Sequence, residues 1–435
     1  MKQAGGAFLA GATSRLLPPS IPFRFFGAAV AFHLLAWIAL FAGAEGAPRF
    51  AGGLGWPLAA LHLVTLGVLA MTAIGASLQL LPVATRRSVG SARWPAAIWW
   101  LYTPGVAALA LGMGTGAPML LAGGAAATVV ALAAYAGLLA RTLAGARGMP
   151  VVVAHGWAAL ASLVAVLITA ASLAGMYVGV PGLGRGTALT LHIACAAFGF
   201  MGMLALGLSY ILVPMFALSA APDERRAFAS AALAVIALLL AGAASFGIAP
   251  RLTGLGAIAA GAAAVALHVR LMTIALRTGM RRHLGRSFTL VKIGWVLLAA
   301  SLVAALGIAL EAPVDGLPTL FGLLLIGGWL LTFLLGILQR IVPFLGSMHA
   351  ARGRRLPPTP SALTAERPLT MHFACHLAAL MLLAMAVVAD SPWAMRLAAV
   401  TGAAGATAFA AFFLSVLRRM RRADARDAAH AAPVA

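Results

Sequence analysis

Long apolar segments recur along the whole chain, separated by short stretches of glycine, proline and charged residues. Most hold about 18 or more apolar residues, which is enough for a helix to cross roughly 30 Å of hydrocarbon. A membrane β-barrel would instead alternate apolar and polar residues, and no segment of this sequence does so. The breaks predict twelve transmembrane helices near residues 24–44, 56–82, 94–113, 117–141, 151–178, 187–217, 227–247, 252–277, 288–309, 318–343, 368–389 and 394–419.

Composition supports the same fold class. Of 435 residues, 63% are hydrophobic and only 9% are charged, whereas a soluble domain carries about 25% charged residues. The sequence therefore predicts an all-α polytopic membrane protein whose main partner is the lipid bilayer. The first residues lack the short apolar core and small-residue cleavage site of a removable signal peptide, so we expect none.

The formal net charge of +21 is distributed unevenly along the chain. With the N-terminus inside, 24 lysines and arginines fall in inner segments, and only Arg49, Arg185, Arg251 and Arg396 fall in outer loops. This bias predicts that both termini are cytoplasmic and that the protein lies in a bacterial-type inner membrane. Topology and anionic lipid explain the basic charge, so we expect no nucleic-acid partner.

The second, sixth and tenth predicted helices share one spacing of glycine and proline. In each helix a second glycine lies eight residues after the first, and a proline lies seven residues after the second glycine. The three sets are Gly67, Gly75 and Pro82; Gly199, Gly207 and Pro214; and Gly328, Gly336 and Pro343. Glycine is common in membrane helices because it eases close packing, but three equal spacings on equivalent helices indicate a repeat. We predict three four-helix repeats, about 22–143, 151–278 and 287–420, in one membrane domain (1–435) with a cytoplasmic tail at 420–435.

Histidine is the main ionisable residue within the predicted spans. The nine acidic residues lie in loops or at helix ends, whereas seven histidines lie in spans: His33, His62, His155, His192, His268, His372 and His376. Ionisable groups inside a membrane are costly and mark functional sites. Imidazole is a ligand for iron, copper and zinc, and a bis-histidine heme needs only one histidine on each of two helices. A membrane histidine can also simply hydrogen-bond a neighbouring helix.

Four of these histidines form the candidate site. His62 and His192 lie on equivalent helices, roughly 7–10 Å below the outer surface, while His372 and His376 share one face of helix 11 because they are four residues apart. Cys195 follows His192 by three residues, and Cys375 lies beside His376. These pairs allow a copper thiolate, although a membrane cysteine is more often a small packing residue. The candidate metal ligands are His62, His376 and His192.

The segment Leu61-His62-Leu-Val-Thr-Leu-Gly67, with its later glycine and proline, resembles helix 2 of subunit I of heme-copper oxidases. That family has twelve helices in three arcs, with a heme-ligand histidine early in helix 2. The segment Pro-Phe-Arg-Phe-Phe at 22–26 also resembles NnrS-type nitric-oxide-tolerance membrane proteins. The resemblance implies that His62 binds a heme b and, less firmly, that His192 lies on the copper-ligand helix. It also implies electron transfer or handling of nitric oxide or oxygen, with a cytochrome c or another redox subunit as partner.

The sequence departs from that family at several ligand positions. The family's His-Pro-Glu-Val in helix 6 is replaced by His192-Ile-Ala-Cys195, and no histidine occurs in 227–247 or 318–343. NnrS-type proteins show His-x-His-Glu in helix 2, where only His62 stands. If the chain is an enzyme, we therefore expect an oxidoreductase other than a typical proton-pumping oxidase. The family's arrangement brings helix 11 near helix 2, which implies His376, rather than His372, as the second ligand of the His62 heme.

Two other functions remain open at this stage. The same histidines could serve a transporter or a metal-handling permease, which would bind its metal only transiently. They could also be packing residues in a structural or assembly subunit of a respiratory complex. The sequence contains no Cys-x-x-Cys-His segment, so we expect no covalently attached heme.

Overall fold

The computed structural model describes residues 17–87, 90–350 and 358–431, with side chains as far as Arg422. Within these ranges the protein is helical and contains no strand. Twelve helices are long and apolar enough to cross a membrane. They are α1 Ser20–Ala42, α2 Trp56–Thr85, α3 Arg93–Thr115, α4 Pro118–Ala144, α5 Pro150–Val178, α6 Arg185–Ala217, α7 Glu224–Ser245, α8 Pro250–Thr278, α9 Gly285–Ala309, α10 Leu317–Ala350, α11 Glu366–Val388 and α12 Pro392–Ala431. The prediction of an all-α polytopic membrane protein is confirmed.

Two predicted helix ends are wrong. Helix α10 continues past Pro343 to Ala350, because a proline removes only one backbone hydrogen bond and membrane helices tolerate that loss. Helix α12 continues from the predicted end at 419 to Ala431, through alanines and arginines that favour helix. The predicted N-terminal segment before residue 17, the centre of the predicted 344–367 loop, and residues 432–435 of the predicted tail lie outside the described residues.

Most of the fully described connections between membrane helices are short. Only Gly116 and Ala117 separate α3 from α4, for example. With twelve crossings, α1 begins and α12 ends at the same face of the bundle, which we call the terminal face; the opposite face is the far face. The bias in basic residues predicts that the terminal face is cytoplasmic.

Helices α2, α6 and α10 are the most buried of the twelve spans and share one local feature. Each contains a π-helical segment, Leu63–Ala70 in α2, Ala194–Gly202 in α6 and Leu323–Leu331 in α10. The segments in α2 and α6 both contact the one in α10. π-Helical segments are rare and occur often at functional sites. The three-unit repeat stays a prediction, and these equivalent segments support it.

The repeated glycines let the second helix of the first predicted unit approach the first helix closely. A Cβ atom added at Gly67 would lie 2.7 Å from the Phe32 Cβ, and one at Gly75 would lie 2.8 Å from the Phe25 Cβ. Both distances are shorter than real Cβ contacts. The glycine spacing therefore reflects a packing requirement, since α1 crosses α2 where no side chain fits between them.

The same packing recurs in the second and third predicted units. The glycine and its neighbour on the preceding helix are Gly199 with Ser162, Gly207 with His155, Gly328 with Leu297, and Gly336 with Leu290. In all three units the two neighbours are seven residues apart, as Phe25 and Phe32 are. The two helices run in opposite directions, so the order of the partners is reversed: the later glycine of each pair contacts the earlier residue on the preceding helix.

The last helices pack back on the first. Helix α12 lies against α1, and a Cβ atom at Gly402 would overlap the Trp37 indole. At the far face, two ion pairs join the α1–α2 connection to the α11–α12 connection and the start of α12: Arg49 with Asp390 (2.7 Å) and Arg396 with Glu45. Exposed ion pairs add little stability. The packing of α12 against α1 is therefore what holds the last helix against the first.

Candidate functional site

His62 and His192 lie at matching depth in two of the central helices. His62 is six residues after the first residue of α2, and His192 is seven after the first residue of α6. Both are therefore about 9–10 Å below the far-face ends of their helices. Both side chains are half-buried, and they are close enough for their charges to interact. The two histidines thus lie at similar distances from the far-face ends of their helices and within electrostatic range of each other.

The hydrogen bond of His62 fixes which ring nitrogen carries the proton. The Nδ1 atom lies 3.0 Å from the Leu58 carbonyl oxygen, one turn earlier in the same helix. A carbonyl oxygen only accepts hydrogen bonds, so Nδ1 donates and Nε2 keeps its lone pair. Metal-binding histidines typically donate their second ring nitrogen to a backbone carbonyl in this way.

His192 has the same protonation for a different reason. Its Nδ1 lies 3.1 Å from the Thr169 Oγ1 of α5. That hydroxyl donates its single hydrogen to backbone carbonyls of its own helix, with Ala165 O at 2.9 Å and Val166 O at 3.1 Å. Thr169 therefore accepts from His192, whose Nε2 keeps the lone pair. Among the described residues, His62 Nε2 has no hydrogen-bond partner, and the His192 ring has, besides Thr169, a hydrogen bond to the Val166 carbonyl oxygen.

Packing around this pair is looser than in the rest of the central helices. In α2, every residue from Gly67 to Thr85 is buried, whereas Val64, Thr65 and Leu66 are only half-buried. Helix α6 changes in the same way, since nearly all of its residues are buried from Gly199 onward. The two imidazoles thus lie in the less tightly packed, far-face half of the bundle centre.

The other two candidate histidines belong to a separate cluster near the middle of the membrane. The rings of His372 and His376 are stacked, with centroids 5.6 Å apart. His33 of α1 is close enough to interact electrostatically with both. His372 Nδ1 donates to the Gly405 carbonyl oxygen at 3.2 Å. His372 Nε2 and both ring nitrogens of His33 are buried and have no partner among the described residues.

The hydrogen bond of His376 bears on its predicted role. Its Nε2 lies 2.8 Å from the Thr332 Oγ1 of α10, and this hydroxyl donates to the Gly327 carbonyl oxygen at 2.8 Å. The His376 Nε2 therefore carries the proton, and only Nδ1 keeps a lone pair. The predicted His62–His376 pair stays a prediction, and the interactions of the two side chains give it no support.

A third polar cluster contains a residue that the sequence analysis did not select. The Tyr210 ring lies between the rings of His155 and His268, at centroid distances of 5.4 and 5.2 Å. Its Oη is 3.2 Å from His268 Nδ1, and His155 Nδ1 donates to the Val151 carbonyl oxygen at 2.8 Å. Tyr210 lies three residues after Gly207, inside the repeated segment, so its position was visible in the sequence. Thr169 had no such signal.

The donor set bears on which cofactor fits. Within the described residues, no group of three or more histidine, cysteine or acidic side chains is placed to hold a metal ion. Cys195 is buried, Cys375 packs against Gly405, and neither forms a disulfide. Copper binding stays a prediction. A heme supplies its own equatorial ligands, so two imidazoles at similar depth are a donor set that fits it.

Comparison of the sequence with known proteins identifies no relative of this chain. The chain matches no protein-family model, and no curated protein is similar to it. The resemblance to heme-copper oxidases therefore still rests on helix 2 and the predicted repeat alone.

Proposed function

We propose that this chain is a membrane heme protein that transfers electrons, in which His62 and His192 would hold a b-type heme. One observation carries the proposal: the two imidazoles lie at similar depth on two central helices, and Nδ1 of each is engaged in a hydrogen bond that orients its ring. Iron binds the unprotonated nitrogen of a neutral imidazole. A heme bound by two histidines carries single electrons by changing between its ferric and ferrous states.

The surrounding residues have distinct roles in this proposal. The Leu58 carbonyl and the Thr169 hydroxyl orient the two rings. The neighbouring π-helical segments supply apolar walls, including Phe198 and Trp329, whose ring centroids are 5.9 Å apart. Such walls exclude water and lower the local dielectric constant, which influences the reduction potential of a bound heme.

Depth also indicates where the redox partner would dock. The pair lies about 9–10 Å from the far-face ends of α2 and α6, and the charge bias predicts that this face is outside a bacterial inner membrane. An external electron donor or acceptor, such as a cytochrome c, would therefore reach the site more closely than a cytoplasmic one. Nitric oxide or oxygen handling, the other function that the oxidase resemblance implies, would need a heme held by only one of the two histidines.

The proposal is tested by absorption spectra of the purified protein and three variants. We expect wild type to show a Soret band and sharp bands of low-spin heme on reduction, and His62→Ala and His192→Ala each to lose the low-spin signal. His155→Ala is the matched control, because His155 makes the same bond to a backbone carbonyl four residues earlier. Its spectrum should be unchanged.

Two other results would contradict the proposed ligand pair. Loss of the low-spin signal in His62→Ala and His376→Ala, with an unchanged spectrum in His192→Ala, would favour the pair that the oxidase resemblance implies. A preparation that remains colourless after addition of heme would refute heme binding altogether. Folding of every variant is checked by its elution as a single species in detergent.

A further inference from the structure

A large groove separates α8 from α9, where the second and third predicted units meet. Its volume is about 1410 Å³, and it is lined along one face of each helix. On α8 the lining runs from Ile258 to Arg277, which spans roughly 28 Å along the helix axis. The groove is thus nearly as long as the hydrocarbon core is thick. It faces the surrounding lipid, because Val296 and Val303 in its wall are 67% and 70% exposed.

Most of the groove is apolar and shaped by small residues. Ala262 and Ala266 on α8 face Ala299 on α9, and the buried Phe288 and Trp295 rings also line it. Small side chains on both helices leave a channel where larger ones would have closed the gap. A hydrocarbon chain is complementary to this surface, because the chain would make apolar contacts along its whole length and has no polar group that needs a hydrogen bond.

The terminal-face end of the groove is basic. Arg277 ends the lining of α8, Arg282 lies in the connection, and Lys292 projects from α9. Within the described ranges, Lys292 is the only lysine. It is exposed, seven residues after the start of α9, and therefore about 10 Å along that helix. A charge at such depth is costly unless it has a partner or reaches the interface.

The described part of the protein supplies no such partner. Among the described residues, no carboxylate forms an ion pair with Arg277, Arg282 or Lys292. Three cations thus line the mouth of an apolar groove, and no carboxylate of the described ranges pairs with them. An anionic headgroup attached to hydrocarbon chains has the complementary chemistry at both ends of the groove.

We propose that the α8–α9 groove binds an anionic phospholipid from the leaflet at the terminal face. Lys292, Arg277 and Arg282 hold its phosphate, because guanidinium and ammonium groups form charge-assisted hydrogen bonds with phosphate oxygens. An acyl chain lies along the alanines of the two helices. The lipid then fills the junction between the second and third predicted units.

Native mass spectrometry of the full chain in mild detergent tests this proposal. Dioleoyl-phosphatidylglycerol and dioleoyl-phosphatidylcholine are added in turn, because they share acyl chains and differ in headgroup charge. We expect wild type to retain the anionic lipid preferentially. Lys292→Gln and Arg282→Gln should each lower this preference about fivefold, the effect of one basic residue near an anionic surface.

Arg141→Gln is the matched control, because Arg141 lies near the end of α4, as Arg277 does in α8. Both Arg141 and Lys292 are exposed, so neither substitution removes a buried contact. We expect Arg141→Gln to keep the wild-type preference. Equal retention of the two lipids, as expected if a partner helix occupies the groove, would overturn the proposal. An equal loss in Arg141→Gln and Lys292→Gln would also overturn it, since the effect would then be one of net charge.

Discussion

Replacing Gly75 with alanine tests whether the repeated glycines are packing sites. The new Cβ would lie 2.8 Å from the Phe25 Cβ and 3.2 Å from the Phe26 ring, both on α1. Because the first contact is close to the α1 backbone, rotation of a side chain cannot relieve it, and the helices must move apart. Overpacking of this kind costs about 1–3 kcal/mol.

The intrinsic helix preference of alanine works in the opposite direction and must be separated from the packing cost. Alanine is favoured over glycine in a helix interior by about 1 kcal/mol. Gly137 in α4 is the matched control, because a Cβ added there meets nothing within 4 Å. Subtracting the two variants removes the helix preference, so we expect Gly75→Ala to be less stable than Gly137→Ala by about 1–3 kcal/mol.

The assay is equilibrium unfolding by sodium dodecyl sulfate added to protein in mild-detergent micelles, followed by tryptophan fluorescence. Gly207→Ala and Gly336→Ala, at the equivalent positions of the other two units, should lose comparable stability. If Gly75→Ala is as stable as Gly137→Ala, the close approach of α1 and α2 does not explain the glycine. If only one of the three equivalent variants is destabilised, the units do not share this packing.

Two further predictions concern the histidine pair and the topology. Thr169→Val removes the acceptor for His192 Nδ1 and should lower heme affinity about 10- to 100-fold; Thr169→Ser, which keeps the hydroxyl, should bind heme like wild type in the same titration. After replacement of Cys195 and Cys375 by alanine, a cysteine placed at Gly184, which is exposed and where an added Cβ meets nothing within 4 Å, should react with an impermeant maleimide added outside the cell. A cysteine at Ser361 should not react, and the opposite pattern would invert the predicted orientation.

Helix number could be predicted because the bilayer fixes how many apolar residues a span needs. Helix ends were harder to predict. A proline usually indicates the end of a helix, yet α10 continues for seven residues beyond Pro343. The three π-helical segments had no sequence signal that we identified. They depend on how α2, α6 and α10 contact one another, which is a property of the assembled bundle.

The candidate site shows the same division between local pattern and assembled structure. The matching depth of His62 and His192 follows from their places in the sequence. The hydrogen bonds of the histidines do not, because Thr169 reaches His192 from α5 and Thr332 reaches His376 from α10. Neither threonine belongs to a spacing that marks it.

The packing of α12 against α1 means that the order of the helices along the chain could be changed without altering their positions. The start of α1 and the end of α12 lie at the terminal face, and these two helices are already neighbours. A peptide linker could therefore join the ends, and new termini could be opened in the connection between α4 and α5, around Gly148. In such a circular permutant the second predicted unit would be synthesised first. The sequential insertion of helices into the membrane could then be separated from the final arrangement that they reach.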